Sequence, residues 1–167
     1  LAGAARIAPL VANLAEEAED EIVKACVTQT LLTHRSQKSE EAAAFLALAA
    51  HRILHGAELE ATIRETSPSW ALKKAESVLE MDAVEAIGKL GQSCPIEKAL
   101  PAVIYLALKH SDDLPKAFSE NAMAGGDNCA RALALGMLLG AHHGIDAIPE
   151  AWVKELNAAQ MLRGFLT

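Results

Sequence analysis

Aromatic side chains make up only 4 % of this sequence, and cysteine occurs three times in 167 residues. Cys26, Cys94 and Cys129 are too few and too scattered for a disulfide scaffold or a clustered four-ligand zinc site, which fits a reducing, cytoplasmic setting. No apolar run reaches the roughly 18 residues that would span a bilayer. The opening Leu1-Ala2-Gly3-Ala4-Ala5-Arg6 does not read as a signal peptide, because its charge follows only a brief apolar stretch. An initiator methionine is missing too, so the chain reads either as processed or as the interior of a longer product. Basic residues are outnumbered: 15 Lys and Arg face 22 Asp and Glu, for a net charge of -7. That balance repels nucleic acid and anionic membrane rather than attracting them. A P-loop, a dinucleotide-binding glycine pattern and a serine nucleophile elbow are all lacking, so a kinase, a nicotinamide enzyme and an esterase have no specific support.

What is present points to a folded helical body. With 51 % hydrophobic and 22 % charged residues, the chain has enough apolar surface for one domain over residues 1–167. Alanine is abundant and β-branched residues are rare in the long segments, a mixture that favours helices packed closely through small side chains. The expected fold is therefore all-α, a compact bundle of many helices.

Helical spacing of Leu10, Leu14, Ala18, Ile22, Ala25 and Gln29 predicts a first helix from about Pro9 to Leu32, with the acidic run from Glu16 to Glu21 on a solvated face. A second helix is expected from Ser39, as its cap, to His55, ending near Gly56. Trp70 to Leu79 and Ala83 to Leu90 read as further helices, and Pro95 can open another that Pro101 would kink or restart. A turn at Asp112-Asp113-Leu114-Pro115 precedes a helix carrying Phe118. Asn128 to His143 is strongly helical in pattern, with Gly136 and Gly140 on one stripe where another helix can approach and Gly144 as terminator.

Chemistry concentrates in the string Ala124-Gly125-Gly126-Asp127-Asn128-Cys129. Two glycines permit a tight turn, and the carboxylate of Asp127 can either cap the following helix or bind a hard cation. A single carboxylate does not make a good magnesium site, and no partner is identifiable by spacing. His34 can act as an acid or base near neutral pH or satisfy carbonyls at a helix end. The neighbours His142 and His143 point in different directions on a helix, which weakens them as joint ligands. Arg6 can bind phosphate or carboxylate through its planar donors, or fasten a helix end by a salt bridge.

Taken in order, Gly3-Ala4-Ala5-Arg6-Ile7-Ala8-Pro9, Leu32-Thr33-His34, Pro101-Ala102-Val103-Ile104-Tyr105-Leu106-Ala107-Leu108, Gly125-Gly126-Asp127, and Gly140-Ala141-His142-His143-Gly144 through Ile148-Pro149-Glu150-Ala151-Trp152 resemble the C-terminal half of the ADP-ribosylglycohydrolase and J1-crystallin superfamily. The resemblance implies an all-helical fold, incomplete here, and a pair of magnesium ions that position ADP-ribose while its N- or O-glycosidic bond to an ADP-ribosylated substrate is hydrolysed. It implies substrate contacts at Arg6, His34, Gly125 and Gly126, and metal ligation at Asp127. Where the active pattern reads Gly-Gly-Asp-Thr-Asp-Thr, this chain reads Gly125-Gly126-Asp127-Asn128-Cys129-Ala130. Thiol and methyl thus stand in place of carboxylate and hydroxyl oxygens, which a hard cation does not exchange for sulfur. The family's other metal ligands belong to its N-terminal half, so a missing segment or a completing chain would have to supply them. The altered string resembles the crystallin-related branch, for which the alternative is a catalytically inactive structural or ligand-binding protein.

Overall fold

Helices, many of them short, follow one another along the chain, and the computed structural model describes residues 1–164 of it. Among the described residues there is no strand. Helix α1 (Ala2–Ala5) leads into α2 (Ala8–Asn13), where Pro9 sits in the first turn and its missing amide proton is harmless. Helix α3 (Glu19–Leu31) begins afresh, with Glu19, Asp20 and Glu21 in its first turn, where the helix dipole favours negative charge.

The single helix expected from Pro9 to Leu32 is therefore two. The chain leaves helical geometry after Asn13, and Ala18 is extended at the start of α3. Local periodicity runs through this break because Leu14 packs on the core regardless. The break also leaves the carbonyl of Ala15 open to the buried His51 ring, whose Nε2 lies 3.1 Å away.

Helix α4 (Gln37–Leu54) is capped by Ser36 and not by Ser39: the Ser36 hydroxyl accepts the Ser39 amide at 3.1 Å. Gly56, at φ 89, follows its end. Next come α5 (Leu59–Thr66), α6 (Ser69–Glu76) and α7 (Ala83–Leu90), the last capped by Asp82, whose side chain accepts the Glu85 amide.

Pro95 opens α8 (Ile96–Lys109), which runs on through Pro101. A proline there denies a helical partner to the carbonyl four residues back, that of Glu97. Lys74 of α6 supplies one, donating from Nζ at 3.1 Å. Every residue from Ala99 to Leu108 is buried, so α8 forms the axis of the core.

Helix α9 (Leu114–Met123) starts at an Asp113 cap, and α10 (Asn128–His143) ends at Gly144, φ 74. A 3-10 turn (Ile145–Ala147), α11 (Glu150–Glu155) and α12 (Ala159–Arg163) complete the described chain. Helix α4 packs mainly on α3 and α10, while α8 packs on α10 and α6. Phe45, Leu46, Ile63, Ile87, Leu100, Leu135 and Leu138 fill the space between them, each contributing on the order of 1.5 to 3 kcal/mol by leaving water.

The glycine stripe of α10 divides. A β-carbon on Gly136 would lie 3.1 Å from the Phe118 ring of α9, a close approach, whereas one on Gly140 would meet open space. Gly140 instead borders an apolar cavity shared with Leu114, Ile148 and Trp152. Among the described residues no helix is long and apolar enough to cross a membrane.

Candidate functional site

Two groups of residues adjoin the segment 91–95. In the first, α1 lies against the end of α3. Thr30 donates its hydroxyl to the Gly3 carbonyl at 3.3 Å, and Arg6 donates from Nη2 to the Thr33 hydroxyl at 2.5 Å. That hydroxyl lies 2.8 Å from Nδ1 of His34. Gly3 is required here: a β-carbon on it would stand 2.7 Å from the His34 ring. Arg6 here holds the end of α3 through the neutral Thr33 hydroxyl. The His34 ring engages Thr33 in place of capping a carbonyl of α3.

The second group is the turn between α9 and α10. Gly125 and Gly126 both adopt φ 66, in the left-handed region where a side chain is disfavoured. Gly126 has a second constraint, because a β-carbon would fall 2.2 Å from the carbonyl oxygen of Gln92. That oxygen accepts the amide of Asp127 at 2.8 Å, and the Gln92 side chain donates to the carbonyl of Ala124 at 2.6 Å.

Beneath the turn lies Arg131, fully buried. Its Nε donates to Oδ1 of Asn121 at 2.9 Å and its Nη2 to the Gly125 carbonyl at 2.5 Å. Asn121, itself buried, donates through Nδ2 to the Asn128 carbonyl at 3.0 Å. Burial draws the Arg131 guanidinium below its usual range, while the negative charge of Asp127 opposes that shift. Asp127 occupies the N-cap position of α10, yet its carboxylate accepts no hydrogen bond from the first-turn amides, unlike the side-chain cap its position suggests.

Residues 91–95 join the groups. The amino group of Leu1 donates to the carbonyl of Cys94 at 2.9 Å, two residues from the Gln92 that holds Asp127. Beside this strap opens a groove of about 570 Å³, bordered by His34, Ser36, Lys38, Ser39, Cys94 and Glu97. Arg6, Thr33 and His34 therefore form one unit and Gly125, Gly126 and Asp127 another; the structure brings them to the same strap without a shared hydrogen bond among the described residues. His142 and His143 belong to neither, His143 being bonded to the Ser111 carbonyl at 2.7 Å.

Gln92, Asn121 and Arg131 were not singled out from the sequence. One signal was available for Arg131: it shares a helical stripe with Ala134, Leu135 and Leu138, all buried, so its register placed a cation inside. Magnesium prefers six oxygen ligands, usually with more than one carboxylate. Asp127 is followed by Asn128, Cys129 and Ala130, and among the described residues no group of three or more His, Cys, Asp or Glu could hold a metal ion. These residues by themselves do not fit the ion.

Comparison with known proteins places this geometry in a family. The chain is 28 % identical over 160 residues to crystallin J1A of Tripedalia cystophora, covering 92 % of this chain and 49 % of that protein. It is 26 % identical over 189 residues to the ADP-ribosylhydrolase ARH3 of Bos taurus, covering 90 % and 51 %, and equally to that of Mus musculus, covering 90 % and 50 %. The chain thus spans about half the length of the curated relatives it matches. No solved structure matches it. The profile of the family described as ADP-ribosylglycohydrolase matches residues 2–166, nearly the whole sequence, and the chain belongs to that family.

Proposed function

We propose that this chain is a ligand-binding helical body of the crystallin-like kind, built on the C-terminal half of the family's fold, and that it does not by itself hydrolyse an ADP-ribosyl bond. One observation carries the reading: the turn at Gly125–Ala130 offers a single carboxylate, Asp127, where a hydrolase would need several hard oxygen ligands. The ligand favoured is ADP-ribose. Its diphosphate suits the donors of His34 and Lys38, which line the groove beside residues 91–95, and Arg6, bonded to the Thr33 hydroxyl next to His34, adds positive charge on that side.

Calorimetric titration of the 167-residue chain with ADP-ribose, with and without magnesium, tests this reading. Binding that is indifferent to magnesium and weakened in Arg6→Ala, with no release of ADP-ribose from an ADP-ribosylated peptide, is the expected result. Magnesium-dependent turnover by this chain would overturn it.

A second reading is a hydrolase whose remaining ligands come from further sequence or a completing chain. It is favoured by the match to proteins named ADP-ribosylhydrolase over 90 % of this chain but only about half of their length. Under this reading, hydrolysis would appear only when the completing polypeptide is added.

A further inference from the structure

We propose that Arg131 supplies, from inside the protein, the positive charge that the Asp127 turn would otherwise draw from a metal ion. The inference rests on the reading of this turn as metal-free and adds what takes the ion's place.

Charge and position carry the argument. Arg131 is fully buried, and an ionised side chain is seldom so placed unless it is paired or its donors are all engaged. Its hydrogen bonds go to oxygens without formal charge: Oδ1 and the carbonyl of Asn121, and the carbonyls of Gly125 and Gln92. These oxygens orient the guanidinium and do not neutralise it. The turn itself links the guanidinium to Asp127: the Gln92 carbonyl that accepts from Arg131 Nη1 at 3.4 Å also accepts the Asp127 amide at 2.8 Å, and the charge of Asp127, at the N-cap of the same helix, acts on the guanidinium without forming an ion pair with it among the described residues.

The same guanidinium gathers the turn. Carbonyls of Gly125 and Gln92 converge on it, as carbonyls converge on a bound cation, and Gln92 also accepts the amide of Asp127. A divalent ion at Asp127 would have to approach a fixed positive charge, with Asn128, Cys129 and Ala130 giving no carboxylate to offset it. The turn therefore closes on its own cation.

A double-mutant cycle on the full chain tests this, using urea unfolding of Asp127→Asn, Arg131→Met and the pair. If Arg131 acts through its charge on Asp127, the effect of Arg131→Met on the unfolding equilibrium shrinks about tenfold in the Asp127→Asn background. Arg131→Lys, which retains the charge but not the planar donors, keeps most of that dependence on Asp127. Additive effects would overturn the proposal and leave Arg131 as a hydrogen-bonding strut only. Titration of the unaltered chain with manganese, read by electron paramagnetic resonance, needs no variant to fold. The expected result is no stoichiometric site; one manganese ion bound per chain would overturn the proposal. Turnover of an ADP-ribosylated peptide with the coupling intact would instead sink the non-catalytic reading and leave this inference standing.

Discussion

Lys74 donates a hydrogen bond to the backbone carbonyl of Glu97 across 3.1 Å, and that carbonyl is the one Pro101 leaves without its helical amide. The same glutamate receives Lys38 through its side chain at 2.8 Å, so α4, α6 and α8 are tied at one residue. Lys74→Met should destabilise the protein by about 0.5 to 1.5 kcal/mol. In a Pro101→Ala background, where the helix can supply its own amide, the effect should fall toward zero. Urea unfolding of the two single variants and the pair measures both.

Gly126→Ala should be among the more damaging single changes in the turn. It combines a strained φ of 66 with a β-carbon 2.2 Å from the Gln92 carbonyl, and strained backbone alone costs about 1 to 3 kcal/mol. Gly125→Ala shares the φ but would meet only the Gln92 side chain, at 3.8 Å. Thermal unfolding should therefore rank Gly126→Ala below Gly125→Ala; the reverse order would contradict the close approach of residues 91–95.

Gly3→Ala should expel the His34 ring. Its β-carbon would overlap the imidazole, so the bond between Thr33 and His34 breaks while α1 remains on the core. The proton resonances of the His34 ring report this directly: a large change in Gly3→Ala and a small one in Arg6→Ala, which removes a donor to Thr33 but leaves the ring's seat.

Stability should fall on the alkaline side. Burial pushes the Cys26 thiol from its ordinary 9.0 up to about 11, and burial, followed by the charges of Glu120 and Asp82, pushes Tyr105 from 10.0 up to about 12. Both groups stay protonated in the folded chain at pH values where the unfolded chain has released the proton. Unfolding then releases protons, so stability declines as pH rises from about 9 through 11 for Cys26, and from about 10 through 12 for Tyr105. In melting temperature against pH, Cys26→Ala should flatten the first of these segments; an unchanged slope would count against a buried neutral thiol.

Much of the fold was legible because helix signals are local. The limits of α10, Asn128 to His143, follow from its pattern and from Gly144, and the all-helical body from alanine and the scarcity of β-branched residues. The break between α2 and α3 was not legible, since its apolar positions keep helical spacing while the backbone departs from it near Ala15. Ser36 outcompeted Ser39 as cap because a cap depends on extended backbone, φ -158 and ψ 155, which residue type does not specify. In the site, glycine and aspartate announced the turn. The residues that hold it did not, because Gln92 and Asn121 reach it from other segments, and only the buried register of Arg131 could have betrayed it.

The burial of α8 also bears on synthesis. Its apolar sides are covered by α4 and α6, made earlier, and by α10, made later. While the chain is being extended, Ala99 to Leu108 leave the ribosome with only part of their covering available, and α10 is complete only at His143. A nascent chain arrested between these points would display the apolar stretch from Ala99 to Leu108, and would be a natural client for a chaperone until α10 arrives to cover it.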